Sequence, residues 1–153
     1  MSGSTPSGKP RIAERDAVSL EPDFFAFTVE GKAVGYYTMG ARPNWDRMNA
    51  YHQYKQHVQW AAKANGLKLP LRATEAQPVK VTTRLFAATR VHHDPENVQK
   101  AVVDSLFYGA KGGDKHVGGS YSWATYGQGE RVEIEIKWPN GRAEGIRPGR
   151  ARD

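Results

Sequence analysis

The stretch from Asp94 to Phe107 constrains the fold most, because it predicts a helix with two clearly different faces. Asp94 can accept hydrogen bonds from the free N–H groups of the first turn, and Pro95 suits the first helical position. At about 100° per residue, small and apolar side chains gather on one side: Val98, Ala101, Val102 and Ser105. Charged and amide side chains gather on the other: Glu96, Asn97, Lys100 and Asp104. Such a helix packs its first face on a core and presents its second face to solvent or to a ligand.

The remaining patterns predict an α+β domain around this helix. Residues 24–29 form a short β-prone run, and residues 44–65 show the three- and four-residue apolar spacing of a second helix. Residues 79–88 alternate as a strand does, and residues 117–125 and 132–138 alternate as two strands of a hairpin. The predicted order is β-α-β-α-β-β, with the helices packed on a mixed, mostly non-parallel sheet. A chain of 153 residues is the size of one such domain.

The composition limits the class of protein. The chain has no cysteine, which excludes disulfides, thiolate nucleophiles and sulfur-ligated zinc. No run approaches the roughly 18 apolar residues that a spanning helix needs, and residues 1–16 lack the apolar run of a signal peptide. We therefore expect a cytoplasmic protein with no membrane partner. Residues 1–23 and 139–153 predict flexible tails, the second one basic, which leaves residues 24–138 as the folded domain.

Positive charge is concentrated in one part of the chain. The formal net charge is +6, and residues 42–90 carry nine Lys or Arg residues against two acidic residues. A field of this kind favours a polyanionic partner such as nucleic acid, although a solvated basic surface explains the charge equally well. The candidate contacts to phosphates are Lys32, Arg42, Arg47, Lys55, Arg84 and Arg90.

Three carboxylates form the candidate catalytic group of this basic chain. Asp94 and Glu96 fall on the first turn of the predicted helix, and Asp114 follows in a glycine-rich loop. Carboxylates brought together repel one another unless a cation neutralises them, and oxygen ligands suit Mg²⁺. Lys100 lies one turn beyond Glu96, where an ammonium group can stabilise charge that develops on a phosphate. The alternative is purely structural: Asp94 as a helix cap, Glu96 and Lys100 as a surface ion pair, and Asp114 as a turn residue.

The helix also carries a recognisable motif. Asp94-x-Glu96-Asn97-x-x-Lys100-x-x-x-Asp104-x-Leu106 resembles the Asp-x-Asp-Asn-x-x-Lys…Asp-x-Leu signature of RusA-type Holliday junction resolvases. In that family a glycine-containing segment, an Asp-Asp-x-x-Val run and a Glu-Ile-Glu-Ile-like strand follow. Residues 113–117 and 133–136 are similar to these pieces, and residues 31–43 are similar to the family's first strand and Arg/Pro segment.

The resemblance implies a small homodimeric endonuclease that depends on Mg²⁺, with Mn²⁺ as a substitute. Its substrate would be branched DNA, a four-way junction nicked symmetrically on two strands during recombination and repair in a bacterial or phage-infected cell. Asp94, Glu96 and Asp114 fall on the metal-binding carboxylates of the family and Lys100 on its catalytic lysine. Asn97 falls on the signature amide, which we group with the DNA contacts, and Asp104 falls on an acid that we interpret as structural support.

Two departures from the family pattern bear on activity. Glu96 stands where the family usually has Asp, and Gly113 replaces the first acid of the Asp-Asp pair. The alternative function is therefore a catalytically weakened protein that binds DNA junctions. A phosphatase or nuclease for smaller substrates is a third alternative, against which the basic stretch argues.

Other polar and aromatic pairs are weaker candidates. His92 and His93 are adjacent, so on an extended segment they point to opposite faces and are not expected to bind one ion together. Tyr36 and Tyr37 follow a glycine and are candidates for a wedge near the centre of a junction.

Overall fold

The computed structural model describes residues 21–108 and 115–142 of the chain. The elements, in chain order, are β1 (Asp23–Glu30), α1 (Trp45–Ala64), β2 (Val79–Ala87), α2 (Pro95–Leu106), β3 (Val117–Tyr121), β4 (Thr125–Tyr126) and β5 (Arg131–Trp138). The α+β class and the two helices on a mixed sheet are confirmed. The segment predicted as one strand at 117–125 is divided into β3 and β4.

The sheet has the order β1-β5-β2-β3, and β4 also pairs with β2. The strand β5 runs antiparallel to both of its neighbours, β1 and β2. The strands β3 and β4 run parallel to β2 along its other side. Two parallel strands joined through a helix, β2-α2-β3, therefore form one edge of an otherwise antiparallel sheet.

The predicted hairpin between residues 117–125 and 132–138 is wrong. The strand β5 does not pair with β3 or β4 but lies between β1 and β2. The side chains of β5 explain this position. Val132, Ile134 and Ile136 are almost completely buried, and a central strand buries more apolar surface than an edge strand does. The sequence of β3 includes Gly118 and Gly119 and is mostly exposed, which suits the edge of a sheet.

Both helices cover one face of the sheet, and the core lies between. The predicted apolar faces are confirmed, since Tyr51, Tyr54, Val58 and Ala61 of α1 are buried, as are Val98, Ala101, Val102 and Ser105 of α2. The buried side of β2 is also the predicted one, comprising Val79, Val81, Thr83, Leu85 and Ala87. The other face of the sheet, which we call the open face, carries the intervening polar residues such as Lys80, Arg84 and Glu133.

The ends of the described chain are joined by an ion pair. Arg142 is buried, its Nε lies 2.9 Å from Asp23 Oδ2, and its guanidinium lies 4.0 Å from the centre of the Trp138 ring. Asp114 and most residues of the two predicted tails lie outside the described residues. Within the described parts, no helix is both long and apolar enough to cross a membrane.

Candidate active site

The start of α2 has the capping geometry that its sequence predicts. Asp94 has an extended backbone, its Oδ1 accepts a 2.9 Å hydrogen bond from the Glu96 backbone N–H, and Pro95 occupies the first helical position. Asp94 and Glu96 are both exposed. Asp94 is therefore a helix cap, and this hydrogen bond uses only one oxygen of an exposed carboxylate.

The surface ion pair that the structural alternative requires is not formed. Of the ion pairs among residues 21–108 and 115–142, none joins Glu96 to Lys100. Both side chains are exposed one turn apart on the same helix. The carboxylate and the ammonium group are thus each available to a ligand.

Lys100 lines an open cleft between α2 and the edge of the sheet. The cleft has a volume of about 480 Å³ and is lined by Tyr36, Gln99, Lys100, Val103, Asp104, Val117, Gly118 and Gly119. Tyr36 comes from the segment after β1, and the two glycines come from β3. The predicted catalytic lysine therefore stands at a concave surface, where a substrate can be held against it.

Asp104, which lines this cleft, connects α2 to the other helix. Its Oδ2 accepts a 2.6 Å hydrogen bond from the Tyr51 hydroxyl and lies 3.1 Å from Lys55 Nζ. Burial of Tyr51, together with this hydrogen bond, raises the pKa of the phenol well above its usual range, so the phenol stays protonated and donates. Asp104 thus links α1 to α2, as its interpretation as structural support implies. Lys55 also takes part in this contact through its ion pair with Asp104, an interaction that the prediction of Lys55 as a DNA contact did not include.

Gln99 has a structural role that the sequence did not reveal. Its Oε1 accepts a 2.7 Å hydrogen bond from the Thr83 hydroxyl, and its Nε2 donates one of 2.9 Å to the Val81 carbonyl. These bonds fix the second turn of α2, and Lys100 with it, against β2. Gln99 lies between the polar and the apolar face of α2, and nothing in the sequence around it predicts these two hydrogen bonds.

The segment after β1 crosses the first turn of α2. The Tyr36 backbone N–H donates a 2.9 Å hydrogen bond to the Asn97 carbonyl. A β-carbon at Gly35 would lie only 2.9 Å from Asn97 Cβ and 3.2 Å from His93 Nδ1, so only glycine permits this close approach. The Tyr36 ring meets the Tyr51 ring edge-on at 5.5 Å between centroids.

Two of the predicted DNA contacts lie close to the start of α2. The pKa of His93 is lowered by partial burial and then by the positive charges of Arg47 and Lys32, with a smaller contribution from His92. The Arg47 guanidinium lies 4.5 Å from the centre of the Tyr37 ring, and the Tyr37 hydroxyl accepts a 3.1 Å hydrogen bond from the Asn44 backbone N–H. Positive charges distant in sequence therefore act on His93, the residue that precedes Asp94.

The other predicted DNA contacts are divided between two surfaces. Arg90 lies 4.7 Å from the centre of the Tyr126 ring, and the Tyr126 hydroxyl is 2.6 Å from His92 Nε2, which brings Arg90 close to the start of α2. Arg84 is on the open face, 3.7 Å from Glu133. Arg42 is exposed in the connection between β1 and α1.

The exposed carboxylates on α2 are of the chemical type that hard divalent cations bind. Asp94 and Glu96 offer exposed carboxylate oxygens, and neither takes part in an ion pair with another described residue. The third predicted ligand, Asp114, lies outside the described residues. No group of three potential His, Asp or Glu ligands occurs within the described ranges, so the complete ligand set stays a prediction.

A capping carboxylate, a lysine in an open cleft and basic side chains near both are features found in proteins that act on phosphate backbones. Residues 36–137, more than half of the chain, match the family of endodeoxyribonuclease RusA. The chain therefore belongs to the RusA endodeoxyribonuclease family, and the resemblance carried by residues 94–106 is confirmed. No curated protein gives a significant match to the chain.

Proposed function

We propose that this protein is a Mg²⁺-dependent endonuclease that resolves four-way DNA junctions by paired, symmetric nicks. Membership of the RusA family supports nuclease action on branched DNA. The observation that carries the finer proposal is the position of Lys100, which lines an open cleft on the same helix that presents Asp94 and Glu96 to solvent.

Asp94, Glu96 and Asp114 would hold the cation, with Mn²⁺ able to replace Mg²⁺. When bound, such an ion would polarise a phosphoryl oxygen and lower the pKa of the water bound to it, so that hydroxide would be available at neutral pH. Glu96 stands where the family usually has Asp, and its carboxylate lies one methylene group farther from the backbone. Because the carboxylate itself is kept, we expect Glu96 still to bind the cation. The cap at Asp94 fixes the direction of its carboxylate relative to the helix axis.

Lys100 is the group that acts directly on the phosphodiester. It lies four residues after Glu96 and is not neutralised by it, so its ammonium can approach a scissile phosphate or leaving oxygen. The free N–H groups at the start of α2 also favour an anion. Gln99 and Asp104 act as positioning residues, because their bonds to β2 and α1 fix the helix that carries Lys100.

The basic residues supply affinity for the phosphate backbone. Lys32, Arg47 and Arg90 are the contacts near the start of α2, with Asn97 on its first turn. Phosphate contacts of this kind give binding that weakens as salt rises. Paired nicks at one junction need two active sites, and a homodimer with twofold symmetry supplies them.

Cleavage of a synthetic four-way junction tests this function. Purified protein should nick two opposing strands in the presence of Mg²⁺ and should not cut when EDTA replaces it, while a linear duplex with the sequence of two joined arms should be cut poorly. Light scattering should give the mass of a dimer. Junction binding without any cleavage in Mg²⁺ or Mn²⁺ would instead identify a catalytically weakened binding protein, and a monomer that treats junction and duplex alike would contradict the proposal.

A further inference from the structure

The parallel edge of the sheet is interrupted next to the candidate active site. Tyr121 pairs with Thr83 and Thr125 pairs with Phe86, so two residues of β2 face three residues of the edge strand. Residues 122–124 therefore form an unpaired, bulge-like segment between β3 and β4, which we call the edge bulge. Bulges at sheet edges redirect side chains and occur often beside active sites.

The central residue of the edge bulge is an unusually exposed aromatic. Trp123 is 89% exposed, and Tyr121 and Tyr126 on either side are 47% and 36% exposed. Single exposed apolar side chains are common on proteins. A nearly free indole between two partly exposed phenols is a larger apolar surface, and it lies on the unpaired segment between β3 and β4.

Contacts on both sides of the edge bulge connect it to the catalytic helix. Before the bulge, Tyr121 pairs with Thr83, whose hydroxyl bonds Gln99, the neighbour of Lys100. After the bulge, the Tyr126 hydroxyl bonds His92, two residues before the cap at Asp94. Trp123 thus lies at the sheet edge between two contacts with the helix region. One is the Thr83–Gln99 hydrogen bond at the second turn of α2, and the other is the Tyr126–His92 hydrogen bond just before its start.

The charges around this edge favour nucleic acid as the occupant. Arg90 lies on the Tyr126 ring, and its guanidinium can bind phosphate beside an aromatic surface that can bind a base. The indole face is neutral and stacks on any base. The bases of a linear duplex are stacked on both sides, whereas a base at the branch point of an unstacked junction has a free face on which an indole can stack.

We propose that Trp123 stacks on a nucleobase exposed at the branch point and thereby contributes to the preference for junctions over linear duplex. This inference rests on the proposed function. It adds a specificity-determining contact on the edge bulge to the phosphate contacts made by the basic residues.

The experiment compares four proteins on a four-way junction and on a linear duplex: wild type, Trp123→Ala, Trp123→Phe and Trp60→Ala. Trp60 is a matched control, because it is 67% exposed but lies on α1, beside Gln59, whose side chain bonds the Ser105 carbonyl near the other end of α2. Binding is measured by fluorescence anisotropy in Ca²⁺ or EDTA, and cleavage is measured in Mg²⁺. Circular dichroism melting curves check that each variant is folded.

We expect Trp123→Ala to lose between about fivefold and about 150-fold in junction affinity, with duplex affinity unchanged. Trp123→Phe should keep most of the affinity, since it retains a ring, and Trp60→Ala should behave as wild type. A 2-aminopurine base at the branch point should change its fluorescence when wild type binds and respond much less to Trp123→Ala.

The outcomes separate this inference from the proposed function. If wild type neither prefers nor cuts the junction, the proposed function fails and the base contact fails with it. If wild type cuts the junction and Trp123→Ala binds and cuts it equally well, only the base contact is overturned. The base contact is also overturned if Trp123→Ala loses as much affinity for duplex as for the junction, or if Trp60→Ala loses as much junction affinity as Trp123→Ala. It is overturned as well if Trp123→Ala is a monomer in light scattering, because the indole would then contact a second copy of the chain.

Discussion

The Tyr51 hydroxyl donates a 2.6 Å hydrogen bond to the carboxylate of Asp104, and this bond joins the two helices of the domain. Tyr51 is buried on α1, while Asp104 lies on the edge of the cleft. Tyr54, three residues later on α1, is equally buried, but its hydroxyl has no hydrogen-bond partner among the described residues. One tyrosine of this face therefore has a charge-assisted hydrogen bond, and the hydroxyl of the other is buried without a hydrogen bond to a described residue.

The first prediction contrasts these two hydroxyl groups. Tyr51→Phe should lower the free energy of unfolding by about 1–2 kcal/mol, because it removes a hydrogen bond to a charged group. Tyr54→Phe should change it by less than about 0.5 kcal/mol or raise it, because it removes a buried polar atom with no partner. Urea denaturation of both variants measures the difference. Equal losses in the two proteins would show that the Asp104 bond has no special contribution.

The pH dependence of stability follows from the same residue. The folded-state pKa of Tyr51 is raised above its ordinary value by burial and by Asp104, so folding favours the protonated phenol. Its contribution is complete below the ordinary tyrosine pKa and is lost as the pH rises through the alkaline range. The difference in unfolding free energy between wild type and Tyr51→Phe should accordingly shrink at alkaline pH.

The sequence was sufficient for both helices and their buried faces but not for the pairing of the strands. Amphipathic spacing depends on local sequence, which is why Asp94 as a cap and Val98 as a core residue could be predicted. The neighbour of β5 depends on which arrangement buries Ile134 and Ile136 best, and this is a property of the whole sheet. Alternation alone could not distinguish a hairpin strand from a central strand.

The second prediction tests the parallel pairing that the sequence did not reveal. A β-carbon built at Gly119 would overlap the Val81 carbonyl oxygen, whereas one built at Gly118 would meet nothing within 4 Å. Gly119→Ala should therefore destabilise the protein by about 1–3 kcal/mol through overpacking, and Gly118→Ala should have little effect. Thermal melts of the two variants provide the measurement. Equal melting temperatures would mean that β3 does not approach β2 as described.

In the candidate site too, features that depend on nearby residues could be predicted from the sequence, whereas features that depend on tertiary packing could not. The spacing of Glu96 and Lys100 along one helix is local, and it predicts that both groups lie on the same side. The approach of Lys32 and Arg47 to His93 depends on how the segment after β1 crosses α2 at Gly35. Charge counting along the chain grouped Arg84 with Arg47, although the fold separates them.

The third prediction separates the two roles of Asp94. Asparagine caps helices about as well as aspartate, so Asp94→Asn should fold normally and bind junctions at least as well as wild type, yet lose cleavage. Asp94→Ala should lose cleavage and also about 1 kcal/mol of unfolding free energy, because the bond to the Glu96 N–H is removed. Nicking assays and urea curves measure both effects. Normal nicking by Asp94→Asn would sink the assignment of this carboxylate to the cation.

The fourth prediction concerns Lys100. Lys100→Ala should reduce the cleavage rate by about 10²-fold or more, since it removes a charge directed at the transition state. Its stability should hardly change, because Lys100 is exposed. Lys80→Ala is the matched control, an exposed lysine on the open face, and should cut as wild type does. A variant at Lys100 that unfolds easily but cuts at the normal rate when folded would make this lysine structural.

The fifth prediction uses Arg47 and Arg84 to find the face of the domain that carries DNA. Arg47 lies beside the start of α2, and Arg84 lies on the open face, paired with Glu133. Removing a phosphate contact weakens binding to every sequence and reduces the slope of log affinity against log salt by about 1. Arg47→Ala should show both effects in junction titrations at several salt concentrations. Arg84→Ala should show neither, despite an equal change in net charge. The reverse result would place the DNA against the open face of the sheet, far from Lys100, and would contradict the arrangement of cleft and cations proposed for this nuclease.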